Sequence, residues 1–516
     1  MTPLEQLPQE IENADTSAKL VRAAAAIYGD DVAIDFTGDT VPSESKTFRE
    51  LERESATLAR GLLARGVGKG SRVGFISSNN PQFAVNLMGI SRIGAVAVPI
   101  STLIMGKELV RVFRQSDISG LILQRSILGK DLVERVCDAL PALREVRGDQ
   151  LWLKEVPYLR WIVSTGADLP PGIGQLDTLA GAATAVSEEH LAEVESEVAP
   201  TDQMVEIYTS GSMAMPKGVR HNHGPTLYRS RYLGAMADLE RGRDATVHMP
   251  MFWVGGLIMG LLPHWTWGAR SIAAEKTAGS NNRTAIGTVL TKEDMERMAA
   301  TQTVYWGLGM TETLGPYSYG DEFRLPERPS CAPMDHFAPR YDIRVADENG
   351  VPVKDGEVGE MQVRGYPVTP GLHKIERDQY FTPDGYYKTG DMCTVEGKRV
   401  HFVGRDGDMI KSASSNVSPA EVELELQSIA GVVNAYVVGI PDHDRGQLVV
   451  AAVTAREGVS LDFGEIEGEL RKNLSSFKIP RAFVQIQQSE VPMVQTSNKV
   501  SRRDIEKLMI ERLGRA

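Results

Sequence analysis

The sequence predicts an α/β protein, with a large N-terminal domain of parallel and mixed sheets covered by helices and a small α+β C-terminal domain. Segments typical of strands and helices alternate in the first part of the 516-residue chain. Hairpin signals at residues 340–365 indicate a β-rich subdomain after it. The last part has enough helices and strands to fold by itself, and a chain of this length exceeds one hydrophobic core.

The alternation in the first part favours a parallel sheet, because a helix is the usual connection between parallel strands. Apolar residues at helical spacing predict a helix over 47–66, closed by Gly66. Further strands are predicted within 71–80, 95–100 and 120–124, and further helices within 81–94 and 130–140. Ligands of such sheets bind beyond the carboxyl ends of the strands.

Composition argues against two classes of protein, those that bind nucleic acids and those stabilised by disulfides. The formal net charge of -12 gives no basic footprint for a nucleic acid. Cys137, Cys331 and Cys393 lie far apart, which argues against a disulfide framework and suits a reducing compartment. We therefore expect a cytoplasmic protein that does not bind nucleic acid.

Two further stretches are interpreted structurally. The stretch from Met249 to Ala269 contains no formally charged residue. Its two prolines, its glycines and His264 favour a buried helix flanked by turns over a membrane span. The acidic run 187–198 is expected to be a solvated helix without a functional role.

The functional interpretation starts from Ile207–Val219, a short apolar strand followed by hydroxyl residues, a glycine and Lys217. A loop of this type can direct backbone N–H groups and hydroxyls at one anion, and the lysine adds a mobile charge. It is not a Walker A loop, because Pro216 replaces the second glycine. Taken alone, such a cluster between strands is more often a solvated surface turn. His221 and His223 follow the loop, but their spacing favours structural histidines over metal ligands.

Four other motifs accompany this loop in a fixed order: Gly307–Glu312, Lys388–Asp391, an interrupted motif over Gly404–Glu423, and Ser497–Lys499. Their order and spacing resemble the adenylate-forming superfamily, which contains acyl- and aryl-CoA synthetases, nonribosomal-peptide adenylation domains and firefly-type luciferases. The resemblance covers nearly the whole chain. Five ordered motifs are much more specific than any one of them.

The resemblance implies a nucleotide site. The residues that would hold the departing pyrophosphate of ATP are Thr209, Ser210, Gly211, Ser212 and Lys217. Gly309 and Met310 belong to the implied ATP- and AMP-binding set. Thr311 would contact the α-phosphate, and Glu312 would help to hold Mg²⁺, a hard cation that prefers oxygen ligands.

The remaining implied nucleotide residues lie later in the chain. Asp391 would accept both ribose hydroxyls, and Arg405 would donate to the same region. Lys499 would bridge the substrate carboxylate and the α-phosphate and stabilise the charge of the transition state. In isolation, Asp391 is more typical of an Asx turn, Glu312 of a carboxylate at a helix N-terminus, and Lys499 of a charge in the tail of the chain.

The resemblance also implies two tunnels and a rotating domain. Trp253, Gly255 and Gly256 would lie at the acyl and thiol tunnels, with Lys411 and Ser414 supplied by the C-terminal domain. The polar tract Arg405–Asp408 has the composition of a boundary. We therefore predict a large domain at 1–404, a hinge at 405–408 that includes Asp406 and Gly407, and a small domain at 409–516.

Several positions depart from the family pattern. Met213 and Ala214 replace a threonine and a glycine of the phosphate loop, so that one hydroxyl is lost. Leu308 stands where a tyrosine that stacks on adenine is common. Ala413 and Ser414 replace glycines that often line the thiol channel. The segment between Arg270 and Gly307, which would line the acyl pocket, is shorter than usual.

The predicted function is an ATP- and Mg²⁺-dependent ligase that activates a carboxylic acid as acyl-AMP, releases pyrophosphate and transfers the acyl group to coenzyme A. The apolar stretch Phe252–Leu262 favours a fatty or aromatic acid. Two alternatives stay open: an acyl-AMP ligase that loads a carrier protein, and a nucleotide-binding homologue without turnover. The sequence does not fix the oligomeric state, and a homodimer stays open.

Overall fold

The computed structural model describes most of the chain. The described residues are 6–148, 150–209, 216–276, 306–320, 331–333, 340–397, 399–405, 410–412, 415–417, 419–456, 458–492 and 500–514.

The strands form an α/β part followed by two largely antiparallel units. In chain order they are β1 (Val32–Thr37), β2 (Glu44–Thr47), β3 (Arg72–Ile76), β4 (Val96–Pro99), β5 (Gly120–Leu123), β6 (Ser126–Ile127), β7 (Lys130–Asp131), β8 (Trp161–Ser164), β9 (Gly174–Gln175), β10 (Gln203–Thr209), β11 (Lys217–Asn222), β12 (Asp244–Thr246), β13 (Arg270–Ala274), β14 (Trp306–Met310), β15 (Gly315–Gly320), β16 (Cys331–Pro333), β17 (Tyr341–Ala346), β18 (Val358–Gly365), β19 (Tyr387–Glu396), β20 (Arg399–Arg405), β21 (Ile410–Ser412), β22 (Ser415–Val417), β23 (Val432–Asp442), β24 (Gly446–Ala455) and β25 (Ala482–Gln485).

The helices cover the sheets. In chain order they are α1 (Gln9–Glu12), α2 (Ser17–Ile27), α3 (Phe48–Ala64), α4 (Pro81–Ser91), α5 (Gly106–Ser116), α6 (Leu132–Ala139), α7 (Asp177–Ala182), α8 (Glu188–Ser196), α9 (His223–Met236), α10 (Val254–Gly256), α11 (Leu262–Trp267), α12 (Pro419–Gln427), α13 (Phe463–Asn473) and α14 (Arg502–Arg512).

The N-terminal part is built on a seven-stranded sheet in the order β11-β10-β4-β3-β5-β8-β9. Its central strands pair in parallel, as the alternation predicts. Along β5 the side chains of Leu121 and Leu123 pack into one hydrophobic core, whereas Ile122 packs into the other. Both faces of the sheet are therefore covered, which explains why its strands are apolar throughout.

The predicted helix at 47–66 is observed as α3. Its start is fixed by a capping box, in which the Thr47 hydroxyl accepts from the Glu50 N–H and the Glu50 carboxylate accepts from the Thr47 N–H. The helix ends before Gly66, whose φ of +79° lies in the left-handed region that glycine tolerates.

The β-rich subdomain and the C-terminal part follow the predicted order. Strands β17 and β18 pair antiparallel in a five-stranded sheet of order β16-β20-β19-β18-β17. The C-terminal unit, defined here as the described residues from 410 to 514, has its own sheet of order β22-β21-β24-β23, with β25 paired to β24. The α/β fold class is thus confirmed. The exact domain limits stay a prediction, because hinge residues Asp406 and Gly407 lie outside the described residues.

The run from 254 to 267 is continuously helical, with α10 and α11 joined by a π-helix at Leu257–Leu261. Its side chains from Leu261 to Trp267 are all buried. This matches the expected buried helix. Among the described residues, none of the helices is long and apolar enough to cross a membrane.

The expectation for the acidic run 187–198 is partly wrong. Helix α8 is mostly exposed, but Glu195 is buried and accepts hydrogen bonds from Arg22 and Arg92, at 2.6 and 2.5 Å. Arg92 is itself fully buried, with 0% of its surface exposed. One carboxylate of this run therefore neutralises a cation in the core, a role that acidic composition alone does not reveal.

Candidate active site

The predicted phosphate loop joins two strands of a hairpin. Strands β10 and β11 pair antiparallel, and Thr209 and Lys217 are the last cross-strand partners before the connection. Lys217 therefore begins a strand, whereas the sequence suggested that it belonged to the loop itself. Ser210, Gly211 and Ser212 lie outside the described residues.

An aromatic pair connects Lys217 to the predicted metal-binding glutamate. The Lys217 ammonium lies 4.4 Å from the centre of the Tyr380 ring, within the range of a cation–π contact. The Tyr380 ring stacks on Tyr387, with centroids 6.3 Å apart and planes inclined by 10°. The Tyr387 hydroxyl donates to Glu312 Oε1 at 3.0 Å. Residues that are far apart in sequence thus form one continuous set of contacts.

Glu312 lies in a single turn of 3-10 helix, Thr311–Thr313, between β14 and β15. The turn is held by the Thr313 hydroxyl, which accepts from the Met310 N–H at 3.1 Å. The Glu312 carbonyl accepts from the Thr369 N–H at 2.7 Å. The residue is 8% exposed, so its position is set by the surrounding chain. Gly309 and Met310 lie at the end of β14, where they pair with Pro316 and Gly315.

Asp391 lies on β19, the strand that also carries Tyr387. It is 6% exposed, and its cross-strand partner on β20 is Arg405. The Asp391 N–H donates to the Thr389 hydroxyl at 3.0 Å, and that hydroxyl donates to the Met361 carbonyl at 2.6 Å. The β-sheet register therefore brings together the two residues that the resemblance assigns to the ribose.

A buried polar network under the hairpin was missed by the sequence reasoning. Glu206 on β10 is fully buried and accepts from the Tyr208 hydroxyl at 2.7 Å and from Arg72 Nε at 3.3 Å. His373 lies beside it, with Nε2 3.1 Å from Asp117 Oδ2. Burial lowers the pKa of His373. One feature of the sequence does indicate this network: Glu206 lies inside the apolar strand Val205–Tyr208, and a buried charge needs buried polar partners.

The histidines after the loop are structural. His221 and His223 are both buried. Burial lowers the pKa of His221 to about 3 and that of His223 to about 4, so both rings are neutral near pH 7. The Ser17 N–H donates to His223 Nδ1 at 3.1 Å, which ties α2 to α9. In the described part of the chain, no three or more His, Cys, Asp or Glu residues are grouped so that they could hold a metal ion.

The predicted tunnel residues lie on other elements. Trp253 precedes α10, and its ring lies 5.2 Å from that of Phe252. Gly255 is packed so closely that a Cβ atom there would lie 2.3 Å from Met249 Sδ, so only glycine fits without rearrangement. Gly256 is buried beside it. Lys411 lies on β21 of the C-terminal unit, where its N–H donates to Gln447 Oε1 at 2.7 Å.

The structure therefore connects Thr209, Lys217 and Glu312 through the hairpin and the aromatic pair, and it pairs Asp391 with Arg405. Thr311 adjoins Glu312 in the same turn, and the Tyr387 hydroxyl donates to one carboxylate oxygen of Glu312, Oε1. Ser414 and Lys499 lie outside the described residues, so their predicted roles remain predictions.

Comparison with known protein families identifies the family of this chain. The profile of the AMP-binding enzyme family matches residues 21–286 and 273–373, and that of the AMP-binding enzyme C-terminal domain matches residues 421–498. The chain belongs to the AMP-binding enzyme family. The predicted membership of the adenylate-forming superfamily is thereby confirmed.

Individual relatives cover most of the chain. A feruloyl-CoA synthase from Amycolatopsis is 28% identical over 480 residues, which is 84% of this chain and 89% of the relative. A 4-hydroxybutyrate–CoA ligase from Metallosphaera sedula is 26% identical over 504 residues, 85% of each chain. The solved structure of an amide bond synthetase from Marinactinospora thermotolerans superposes with a TM-score of 0.74 at 19% identity, over 96% of this chain and 99% of that one. Family and relatives confirm the predicted class, an AMP-forming acyl-CoA ligase.

Proposed function

We propose that the enzyme activates an apolar carboxylic acid with ATP and transfers the acyl group to coenzyme A. The observation that carries the proposal is the set of contacts from Lys217 through Tyr380 and Tyr387 to Glu312. A cation suited to pyrophosphate and a carboxylate suited to a metal ion are thus the first and last members of one set of contacts. A site for a metal-bound polyphosphate needs both groups at once.

In the first half-reaction, a carboxylate oxygen of the acid attacks the α-phosphorus of ATP. The bond from the α-phosphorus to the bridging oxygen breaks, and pyrophosphate leaves with the electron pair. Lys217 and Thr209 lie at the mouth of the hairpin, where they would screen the charge of the leaving group. Asp391 and Arg405 would hold the ribose. Lys499 would stabilise the charge at the α-phosphate, as the motif predicts.

Glu312 fits a magnesium ion that is shared with the nucleotide. Mg²⁺ takes oxygen ligands, keeps several waters and needs only one or two carboxylates when phosphates complete its shell. One buried carboxylate held by Tyr387 matches that demand. When bound, the ion would neutralise phosphate charge, and the chain's own contribution is to fix the orientation of the Glu312 carboxylate.

In the second half-reaction, the thiol of coenzyme A loses its proton to solvent and its sulfur attacks the acyl carbon. The bond from that carbon to the AMP phosphate oxygen breaks, and AMP leaves. Lys411 and Ser414 of the C-terminal domain would border the thiol channel. The apolar residues around Trp253 and Phe252 support a fatty or aromatic acid. The aromatic acid in the name of the feruloyl-CoA relative supports the same class.

The test is a pyrophosphate-release screen over fatty, aryl and amino acids, with and without coenzyme A, followed by identification of the products. We expect pyrophosphate with an apolar acid, and acyl-CoA when the thiol is present. Acyl-AMP that accumulates without a thioester would instead favour loading of a carrier protein. ATP binding with no pyrophosphate from any acid would contradict the proposal and favour a nucleotide-binding homologue.

Two finer properties complete the proposal. The widely spaced cysteines support a cytoplasmic location, and Cys137 and Cys393 are buried free thiols. A homodimer stays a prediction, which sedimentation of the purified protein tests.

A further inference from the structure

We infer that Tyr387 and Tyr380 form a positioning platform that couples the binding of Mg²⁺ to the binding of ATP in this enzyme. The inference rests on the proposed function, because it uses Glu312 as a metal ligand and Lys217 as a phosphate ligand. It goes further by assigning roles to Tyr380 and to Tyr387, the residue that directly precedes the Lys388–Asp391 motif.

The platform has two functional surfaces. One is the Tyr387 hydroxyl, which donates to Glu312 Oε1 at 3.0 Å. The other is the face of the Tyr380 ring, 4.4 Å from the Lys217 ammonium. The two rings stack with planes only 10° apart, so a shift of either ring displaces the other. Tyr387 is buried at 3% exposure, and Phe381 packs edge-on against its ring at 5.2 Å. The platform is therefore rigid on the Glu312 side.

The hydroxyl of Tyr387 orients the carboxylate. A hydrogen bond to one carboxylate oxygen fixes the plane of the group and leaves the other oxygen for a cation. Partners of this kind commonly change metal affinity by about 10-fold to 100-fold when they are removed. A carboxylate that is ordered beforehand also loses less side-chain freedom on binding, which favours the metal-bound state.

The face of Tyr380 holds the lysine in the absence of nucleotide. A lysine side chain has many rotamers, and a ring under its ammonium restricts them. The lysine stays at the hairpin mouth, opposite Thr209, where the phosphates would arrive. Because the same stacked pair orders the carboxylate, a bound metal ion stabilises the arrangement in which Lys217 binds phosphate. By the same coupling, a bound phosphate stabilises the arrangement in which Glu312 binds the metal ion.

The test measures ATP binding by calorimetry with and without Mg²⁺, in the wild-type protein and in Tyr387→Phe. This change keeps the ring and its stacking and removes only the hydroxyl. We expect ATP affinity without Mg²⁺ to stay within about 2-fold of wild type, and the gain in affinity from Mg²⁺ to fall by about 10-fold. Tyr380→Leu removes the ring under Lys217, so its ATP affinity should fall even without the metal ion.

Tyr386→Phe is the matched control. Tyr386 is the neighbouring residue on the chain, but its hydroxyl donates to Asp342 at 2.7 Å instead of to Glu312. It should keep the wild-type gain from Mg²⁺. Thermal unfolding of each variant verifies that it folds.

Two results would overturn the inference in distinguishable ways. If Mg²⁺ raises the ATP affinity of wild type and of Tyr387→Phe equally, the tyrosine pair does not couple the two ligands, and the proposed function stands. If wild type itself gains nothing from Mg²⁺, the assigned role of Glu312 fails, and the platform fails with it.

Discussion

A buried lysine of the C-terminal unit contacts the N-terminal part, and its removal should change how the two parts are arranged. Lys478 is 4% exposed and donates to Glu108 of α5 and, at 3.1 Å, to Glu421 of α12. The Ser475 hydroxyl donates to the other Glu108 oxygen at 2.9 Å. Burial raises the pKa of Glu421; Lys478 opposes that shift and Glu108 adds to it. One cation therefore holds two buried carboxylates together.

The change Lys478→Met leaves those carboxylates facing each other without their cation. Removing one partner of a buried ion pair typically costs about 3–5 kcal/mol. Because Glu108 belongs to α5 and Glu421 belongs to α12, separation of the two parts restores water to both groups and removes that cost. A cost of about 3 kcal/mol corresponds to a shift of about 150-fold in the equilibrium between the contacting and separated arrangements.

The assay is single-molecule energy transfer between one fluorophore on each part, in protein without nucleotide. We expect Lys478→Met to populate longer distances than wild type. Lys472→Met is the matched control, because Lys472 is 66% exposed and its ion pair with Glu469 lies at the surface. A distance distribution and a thermal midpoint equal to those of wild type would refute the reasoning.

Two further predictions concern stability. Because the pKa of His221 falls from an ordinary 6.5 to about 3, the unfolded chain binds the proton first as the pH drops. The free energy of unfolding should therefore be highest above pH 6.5 and should decrease as the pH falls further. The decrease due to His221 should reach about 2 kcal/mol at pH 5. A urea titration that shows equal stability at pH 7 and pH 5 would contradict this. Glu195→Gln should lower stability by about 3 kcal/mol, because it leaves the buried Arg92 under-compensated. Exposed Glu193→Gln is the control, and an unchanged urea midpoint in Glu195→Gln would refute the role.

Local patterns predicted much of the fold. The Asn-Gly turn at Gly350, with φ of +79°, and the Asp-Gly turn at Gly356, with φ of +83°, adopt the left-handed backbone that glycine tolerates. They define the connection between β17 and β18. The capping box at Thr47 marks the start of α3 in the same local way. Turns and caps are predictable because the residues that form them are neighbours in sequence.

Contacts between distant segments were not predictable in this way. The hydrogen bond from Tyr387 to Glu312 depends on how β19 packs against the turn after β14, and nothing near either residue specifies it. The buried role of Glu195 was hidden because its neighbours on α8 are exposed and acidic. Ordered motifs identified the family, yet they did not reveal which side chains support the motif residues.

In the proposed function, Glu312 and its surroundings support adenylation of an apolar carboxylic acid. The most direct measurement is exchange of labelled pyrophosphate into ATP, dependent on the acid and on Mg²⁺, in wild type and in Glu312→Gln. Glu348→Gln, a change at an exposed glutamate, is the control. We predict exchange in wild type and in the control. In Glu312→Gln the exchange rate should fall by about 100-fold, because the amide cannot supply a charged oxygen ligand. Wild-type exchange rates in Glu312→Gln would contradict the account.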